Sequence, residues 1–322
     1  MIQRIRHIAS CLRLGRLWLK LLQLRQLGAM RAIKMVYCKS RHLTRIAGAN
    51  PIPCGDGGIE VHMLLHHKRL YQGLWAFYSL AHFASRSCRF VIHDDGSLTT
   101  SDKALLGKVL PGCHVIPREE ADAQVFKDLD AHQLPRCVKL RRTLVFALKL
   151  FDPAFFARSQ SYIIMDSDVL FFACPQQLLA AAASDQESAT AHVYSQDVQD
   201  VYCLNRAEML QVMGQDCIEL FSPGVFSVGR GTLNPARIES YLARPKFWNE
   251  KGEGDYFAEL TLWAMELTLQ GTSPLSGSYA ICPLDPSAPD LVFGHYCGGI
   301  RSNYIYYTRA LPFLSSALLK AA

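Results

Sequence analysis

Short apolar runs alternate with longer segments of helical spacing between residues 59 and 165, and this alternation constrains the fold more than any other feature. Predicted strands lie at 59–66, 88–94, 113–116 and 162–165. Predicted helices lie between them at 74–84, 101–110 and 137–151, and we expect Asp152-Pro153 to end the last one. The pattern is typical of an α/β domain in which helices flank a mixed, mostly parallel central sheet.

The second half of the chain has a less regular pattern. Gly, Pro and aromatic residues cluster from about residue 221 onward, around one predicted helix at 256–269. Irregular segments of this kind often carry binding residues. We therefore expect this half to shape a substrate pocket.

The charges are distributed unevenly along the chain. It contains 34 Lys and Arg against 28 Asp and Glu, yet eleven of the basic residues and none of the acidic ones lie within residues 1–55. A basic segment joined to an acidic body argues against a nucleic-acid-binding core and favours an arm that meets an anionic surface. With 50% hydrophobic residues, the body can bury a core, which excludes a disordered chain.

The basic segment has the pattern of an amphipathic helix, followed by a Gly- and Pro-rich linker at 47–58. Such a helix can lie on an anionic bilayer or pack on the body, and the sequence favours neither. We assign residues 1–50 to this arm and 51–322 to a single domain. The apolar residues at helical spacing are Ile5, Ile8, Leu12, Leu19 and Leu22.

Cysteine usage and hydropathy bear on location. The eleven cysteines are scattered without a CxxC pair, which favours a reducing compartment. No apolar run reaches the roughly 18 residues that a membrane span needs. We expect a cytoplasmic protein, with the arm as a peripheral attachment to the inner face of the membrane.

Two aspartates directly follow the predicted strand at 162–165, in the segment SYIIMDSDVLFF. Residues i and i+2 of an extended chain point the same way, so Asp166 and Asp168 can face one ion. A few carboxylate oxygens suit Mg²⁺ or Mn²⁺, whose remaining positions are filled by phosphate and water. The alternative is a turn with two solvated aspartates. Ligands in α/β sheets bind at the carboxyl ends of strands, which favours the metal site.

This segment resembles the DxD motif of nucleotide-sugar-dependent glycosyltransferases of the GT-A fold, and is similar to that of family 8 and its bacterial relatives. Three further segments agree in order. FVIHDDGSL resembles the acidic motif that holds the nucleoside, FSPGVFSVGR resembles the sugar-side loop, and DLVFGHYCGGIR resembles the late histidine segment. The resemblance covers about residues 59–310 and implies the GT-A fold.

The resemblance also implies a set of site residues. Asp166, Asp168 and His295 would bind the metal, Mn²⁺ or Mg²⁺. Asp94 and Asp95 would contact the base or ribose, although DDGS is also good turn chemistry. The residues that would bind the donor are Asp94, Asp95, Asp166, Gly224, Gly298, Gly299 and Arg301. Arg301 stands where the family commonly has lysine, and Ser222-Pro223-Gly224 where it commonly has Asn-Ser-Gly.

Asp255 is the candidate catalytic residue, in the segment KGEGDYFAELTLWAMEL. In inverting enzymes of this fold a carboxylate at a comparable place takes the proton from the acceptor hydroxyl. In retaining relatives a similar residue binds the sugar, and a plain helix cap is the third interpretation. Glu253 and Glu259 are weaker candidates.

These features predict a metal-dependent glycosyltransferase of the hexosyltransferase type. It would move a sugar from a nucleotide-diphosphate sugar to a hydroxyl on a glycan, a glycolipid or a small molecule. Residues 59–170 would form the nucleotide-binding half and 171–322 the acceptor and sugar half. Two alternatives stay open: a non-catalytic nucleotide- or carbohydrate-binding protein of the same fold, and a membrane-surface adaptor that acts through the arm.

Overall fold

The computed structural model describes Arg25 and residues 27–55, 58–84, 86–183 and 192–319. The apolar pattern predicted between residues 5 and 22 lies outside the described residues. The strands are β1 (Ile59–Leu65), β2 (Cys88–Asp94), β3 (His114–Ile116), β4 (Ser161–Met165), β5 (Val169–Phe171), β6 (Val193–Gln196), β7 (Phe221–Gly229), β8 (Ser273–Pro274), β9 (Tyr279–Ile281) and β10 (Phe293–His295). The α-helices are α1 (Ala29–His42), α2 (Leu70–Phe83), α3 (Thr100–Val109), α4 (Arg118–Ala131), α5 (Pro135–Thr143), α6 (Ala147–Phe156), α7 (Gln176–Ala182), α8 (Arg206–Met213), α9 (Pro235–Tyr241), α10 (Ala258–Thr268), α11 (Ile300–Ile305) and α12 (Leu311–Leu318).

Seven described strands form a mixed sheet in the order β3-β2-β1-β4-β7-β6-β8. The first four run parallel to one another, and β7 runs antiparallel to both of its neighbours. Strands that are covered on both faces read as continuous apolar runs. In β4, Ile163 and Met165 pack in one core while Tyr162 and Ile164 pack in the other. The predicted α/β class with a mostly parallel central sheet is confirmed.

The helix predicted at 137–151 is wrong in both its continuity and its end. The structure has two helices there, because Leu144 is extended and breaks the run. Thr143 Oγ accepts a hydrogen bond from the distant Gly254 amide at 3.0 Å, a tertiary contact at the helix end. Pro153 lies inside α6 instead of after it, where its missing N–H removes one helical hydrogen bond, the one to the Lys149 carbonyl.

The irregular pattern expected from residue 221 onward is also wrong at its start, since β7 is a nine-residue strand inside the sheet. Pro223 and Gly224 disfavour a strand prediction. They are tolerated because the register between β6 and β7 shifts between Tyr194 and Ser195, which pair with Phe226 and Ser222. Proline is compatible with such a bulge, where the ladder does not need its N–H.

A second sheet has the order β5-β10-β9. Strand β5 begins directly after the DxD segment, and β10 pairs with it antiparallel, with His295 opposite Val169. This short sheet therefore brings a late segment of the chain beside the carboxyl end of β4.

The described part of the arm packs on the domain. Ile46 is completely buried in the main core, and the Trp75 indole N–H donates to the Leu43 carbonyl at 2.9 Å.

Among the described residues, every helix is too short or too polar to span a bilayer.

Candidate metal and donor site

The chain leaves β4 through a turn that two backbone hydrogen bonds hold in place. The Asp166 amide donates to the Gly224 carbonyl at 2.9 Å, and the Asp168 carbonyl accepts from the Tyr296 amide at 2.9 Å. The first contact ties the turn to β7, and the second ties it to the residue after β10. Asp166, Asp168 and His295 thus converge because two different sheets meet at this turn.

The ligand atoms of Asp166, Asp168 and His295 all lie within 4.8 Å of one another. His295 Nε2 is 3.5 Å from Asp168 Oδ1 and 3.7 Å from Asp166 Oδ2. The two carboxylates are partly exposed and the imidazole is buried. Two carboxylates and one imidazole on an accessible edge fit Mn²⁺ or Mg²⁺, with coordination positions left for phosphate and water.

Opposite effects act on the ionisation of Asp168 and His295. Burial raises the pKa of Asp168, but hydrogen bonding and charge from His295 outweigh it and lower the pKa to about 2. Burial lowers the pKa of His295, yet its contact with Asp168 holds this pKa well above the usual range. A metal ion held by these residues would therefore displace the proton of His295.

Strand β7 orients the imidazole. Ser222 Oγ lies 3.1 Å from His295 Nδ1, a contact that leaves Nε2 directed toward the carboxylates. A β-carbon at Gly224 would lie 2.3 Å from the same Nδ1. Gly224, predicted to bind the donor, thus has a demonstrable steric role beside His295.

Lys149 is a site residue that the sequence reasoning missed. Its ammonium donates to Asp166 Oδ1 at 2.6 Å and to the Pro223 carbonyl at 2.7 Å. Burial lowers the pKa of Lys149, but the charges of Asp166 and Glu259 outweigh that effect and raise it. The available signal was a lone lysine in the apolar run VFALKLF, since a buried lysine requires a partner.

Glu259 lies at the start of α10, 3.8 Å from the Lys149 ammonium through Oε1. Burial raises the pKa of its carboxyl to about 7, although the charge of Lys149 opposes that rise. Among the described residues, Oε1 has no hydrogen-bond donor. Glu259 therefore belongs to the layer of side chains behind the cluster.

Asp94 is the last residue of β2 and Asp95 follows it, and both carboxylates bind the turn that comes next. Asp94 Oδ1 accepts from the amides of Gly96 and Leu98 at 2.8 and 3.1 Å. Asp95 Oδ1 accepts from the amide and hydroxyl of Ser97 at 3.0 and 2.5 Å. These are the contacts of a capped turn, and nucleoside binding by the two residues stays a prediction.

Gly298, Gly299 and Arg301 follow His295 along the chain. Gly298 has φ = 93°, a conformation that favours glycine, and Gly299 precedes α11. Arg301 is exposed in the first turn of that helix. The predicted phosphate-binding segment therefore lies directly beyond β10, the strand that carries His295.

Asp255, the candidate catalytic residue, is not one of the three residues that converge in the cluster. Its Oδ1 accepts from the Phe257 amide at 2.9 Å and from the Cys203 thiol at 3.4 Å. The neighbouring Tyr256 is 66% exposed. Four residues after Asp255, Glu259 lies 3.8 Å from the Lys149 ammonium. The segment that carries Asp255 thus borders the site, while its carboxylate caps a local turn.

No protein-family model matches the chain, and no curated protein matches its sequence. A similar solved structure is that of galactosyltransferase LgtC in complex with donor and acceptor sugar analogues. Its TM-score is 0.51 at 13% identity, over 82% of this chain and 98% of that one. Mouse xyloside xylosyltransferase 1 in its apo form gives 0.49 at 13% identity, over 78% and 99%. The apo bifunctional glycosyltransferase WbbM gives 0.47 at 14% identity, over 81% and 53%.

The likeness to LgtC confirms the GT-A fold that the sequence predicts. The three solved structures described above are glycosyltransferases. At such low identity the likeness bears on the fold, and the reaction must be argued from the site.

Proposed function

We propose that this protein is a metal-dependent glycosyltransferase, of the hexosyltransferase type, that moves a sugar from a nucleotide-diphosphate sugar to a hydroxyl acceptor. The observation that carries the proposal is the convergence of Asp166, Asp168 and His295 at the end of β4. In an α/β sheet, this edge is where ligands bind. Three ligands of this chemistry on an accessible surface suit a cation that shares its coordination shell with a diphosphate.

Mn²⁺ or Mg²⁺ bound by these three residues would act as a Lewis acid on the leaving nucleotide diphosphate. The chain's own groups prepare that site. Lys149 fixes the Asp166 carboxylate, and Ser222 fixes the imidazole of His295. Gly298 and Gly299 would let the backbone approach the diphosphate, and Arg301 would pair with it.

The remaining assignments divide the chain by substrate. Residues 59–170 would bind the nucleotide, with Asp94 and Asp95 at the base or ribose. Residues 171–322 would bind the sugar and the acceptor, which is a glycan, a glycolipid or a small hydroxylated molecule. Asp255 would accept the proton of the acceptor hydroxyl in an inverting reaction, or contact the sugar in a retaining one. An anionic membrane surface is the proposed partner of the arm, at the inner face of the membrane.

The test is thermal stabilisation by UDP, GDP, CDP and their sugars, with and without Mn²⁺, because a ligand of the folded state raises the melting temperature. We expect a shift that needs both metal and one nucleotide class. Asp168→Ala should remove the shift and the release of nucleotide diphosphate, whereas Asp290→Ala, at an exposed aspartate, should keep both. A metal-dependent shift without any turnover would favour the non-catalytic binding protein. No shift with any nucleotide would refute the site.

A further inference from the structure

Helix α1 carries an apolar ridge on its outward side. The exposed fractions of Met30, Ile33, Val36 and Tyr37 are 80%, 64%, 61% and 57%. Residues at this spacing lie along one side of an α-helix. We call these four residues the α1 ridge. Contiguous apolar surface of this kind commonly marks an interaction site.

The opposite side of α1 makes the contacts with the domain. Ala32 is buried, and Met35 packs partly buried against the main core. His42 Nδ1 lies 3.2 Å from Ser315 Oγ, and the Lys39 ammonium lies 5.1 Å from the centre of the Tyr307 ring. Within the described residues, α1 therefore attaches to the domain without using its ridge.

The surroundings of the ridge are positively charged. Arg31, Lys34 and Arg41 are exposed on the same helix. No Asp or Glu occurs among residues 1–55 to balance them. Exposed apolar side chains, an aromatic residue and unopposed basic residues on one helix are complementary to an anionic lipid surface. A docking surface for a protein core would instead show a polar rim of mixed charge.

We propose that the α1 ridge docks on an anionic bilayer. Met30, Ile33, Val36 and Tyr37 enter the boundary between headgroups and acyl chains, and the basic residues of the helix contact lipid phosphates. This inference rests on the membrane partner proposed for the arm, for which it names the docking residues, and it does not depend on glycosyl transfer.

The position of α1 connects this surface with the candidate site. The helix packs against α11 and against the π-helical turn Tyr306–Ala310 that follows it. Helix α11 begins directly after Gly298 and Gly299. Docking would therefore hold the predicted phosphate-binding segment one helix layer away from the membrane-facing ridge.

The experiment is co-sedimentation of the full chain with vesicles of phosphatidylcholine, with and without phosphatidylglycerol. The test variant is Ile33→Asn/Val36→Asn, which removes apolar surface without changing charge. The matched control is Val198→Asn/Leu284→Asn, at residues that are 75% and 60% exposed elsewhere on the domain.

We expect wild type and control to bind phosphatidylglycerol vesicles, more weakly as salt increases, and the test variant to bind about tenfold or more weakly. Arg31→Gln/Lys34→Gln should weaken binding and reduce its salt dependence. All variants should keep the wild-type melting temperature and the wild-type response to nucleotide and metal, so that failure of docking is separable from failure of the proposed function.

Four results would overturn the proposal. Wild-type protein that ignores phosphatidylglycerol, or a test variant that binds as well as wild type, would exclude the ridge as the docking surface. A lower melting temperature for Ile33→Asn/Val36→Asn alone would show that the ridge packs within the chain. A dimer that these substitutions dissociate would assign the ridge to a second copy of the protein.

Discussion

The ammonium of Lys149 and the carboxylate of Asp166 form an ion pair, with Nζ 2.6 Å from Oδ1. The same ammonium reaches the Pro223 carbonyl at 2.7 Å and lies 3.8 Å from Glu259. One buried cation therefore joins helix α6, the end of β4, the bulge of β7 and the start of α10. It holds the first aspartate of the DxD segment before any metal binds.

Lys149→Met should destabilise the fold. Removing the ammonium leaves a carbonyl and two carboxyl groups without their cation. Because Asp166 is partly exposed, we expect a loss of about 2 kcal/mol, less than for a fully buried pair. Urea unfolding measures the loss. Lys251→Met, at an exposed lysine, should leave the free energy of unfolding unchanged. Equal stability of the two variants would contradict the importance of the pair.

Gly224→Ala should impair metal binding. Its new β-carbon would lie 2.3 Å from His295 Nδ1, so the imidazole must move away from the carboxylates. We expect about 10-fold to 100-fold weaker Mn²⁺ binding by calorimetry, with a loss of about 1–3 kcal/mol in stability from overpacking. Gly277→Ala is the control, because its β-carbon meets nothing within 4 Å. Mn²⁺ affinity that stays at the wild-type level in Gly224→Ala would argue against His295 as a ligand.

Asp255→Asn separates the proposed roles of that residue. Asparagine keeps an oxygen to accept from the Phe257 amide, so the turn should survive. If Asp255 is the general base, kcat should fall about 100-fold or more while the donor dissociation constant stays the same. Steady-state kinetics and donor titration check this. A fall in kcat with an equal loss of donor affinity would indicate that Asp255 contacts the sugar. If neither quantity changes, Asp255 is only a turn cap.

The buried pair of His62 and His93 should make stability depend on pH. His62 Nε2 is 2.9 Å from Glu60 Oε1, and its Nδ1 is 2.8 Å from His93 Nε2. Burial lowers the pKa of both imidazoles below the ordinary value of 6.5. Below that pH the unfolded chain takes up protons that the folded chain resists, so each imidazole makes the free energy of unfolding fall as pH falls.

Glu259 acts in the opposite direction in the same range, because burial raises its pKa to about 7 and the folded carboxyl takes up a proton first. The prediction therefore compares wild type with a variant in the loss of unfolding free energy between two pH values. Between pH 6.5 and 5.5, His93→Leu should lose less stability than wild type, by about 1 kcal/mol. Urea unfolding at the two pH values measures it. His132→Leu, at an exposed histidine, is the control and should lose as much stability as wild type. An equal loss in His93→Leu and wild type would contradict the role of the buried pair.

The local sequence pattern was sufficient to predict the bounds of elements that are buried along their whole length. The predicted bounds of β2, residues 88–94, agree with the structure because the whole strand is buried and its centre, residues 90–92, is a continuous apolar run. It was insufficient where a distant contact decides, as at Thr143, whose hydroxyl accepts from the Gly254 amide at a helix end. Strand β7 was missed because its Pro223 and Gly224 are acceptable only opposite a register shift.

By itself the sequence determined the fold class and the DxD segment at the end of a strand, because both depend on local spacing and side-chain chemistry. It offered His295 as a third ligand only through the resemblance of the segment DLVFGHYCGGIR to a known family. Only the tertiary structure decided that His295 faces Asp168, that Lys149 pairs with Asp166 and that the α1 ridge points away from the domain. Those facts depend on pairing between segments far apart in the chain, such as β5 with β10. Such pairing leaves no periodic signal in either segment alone.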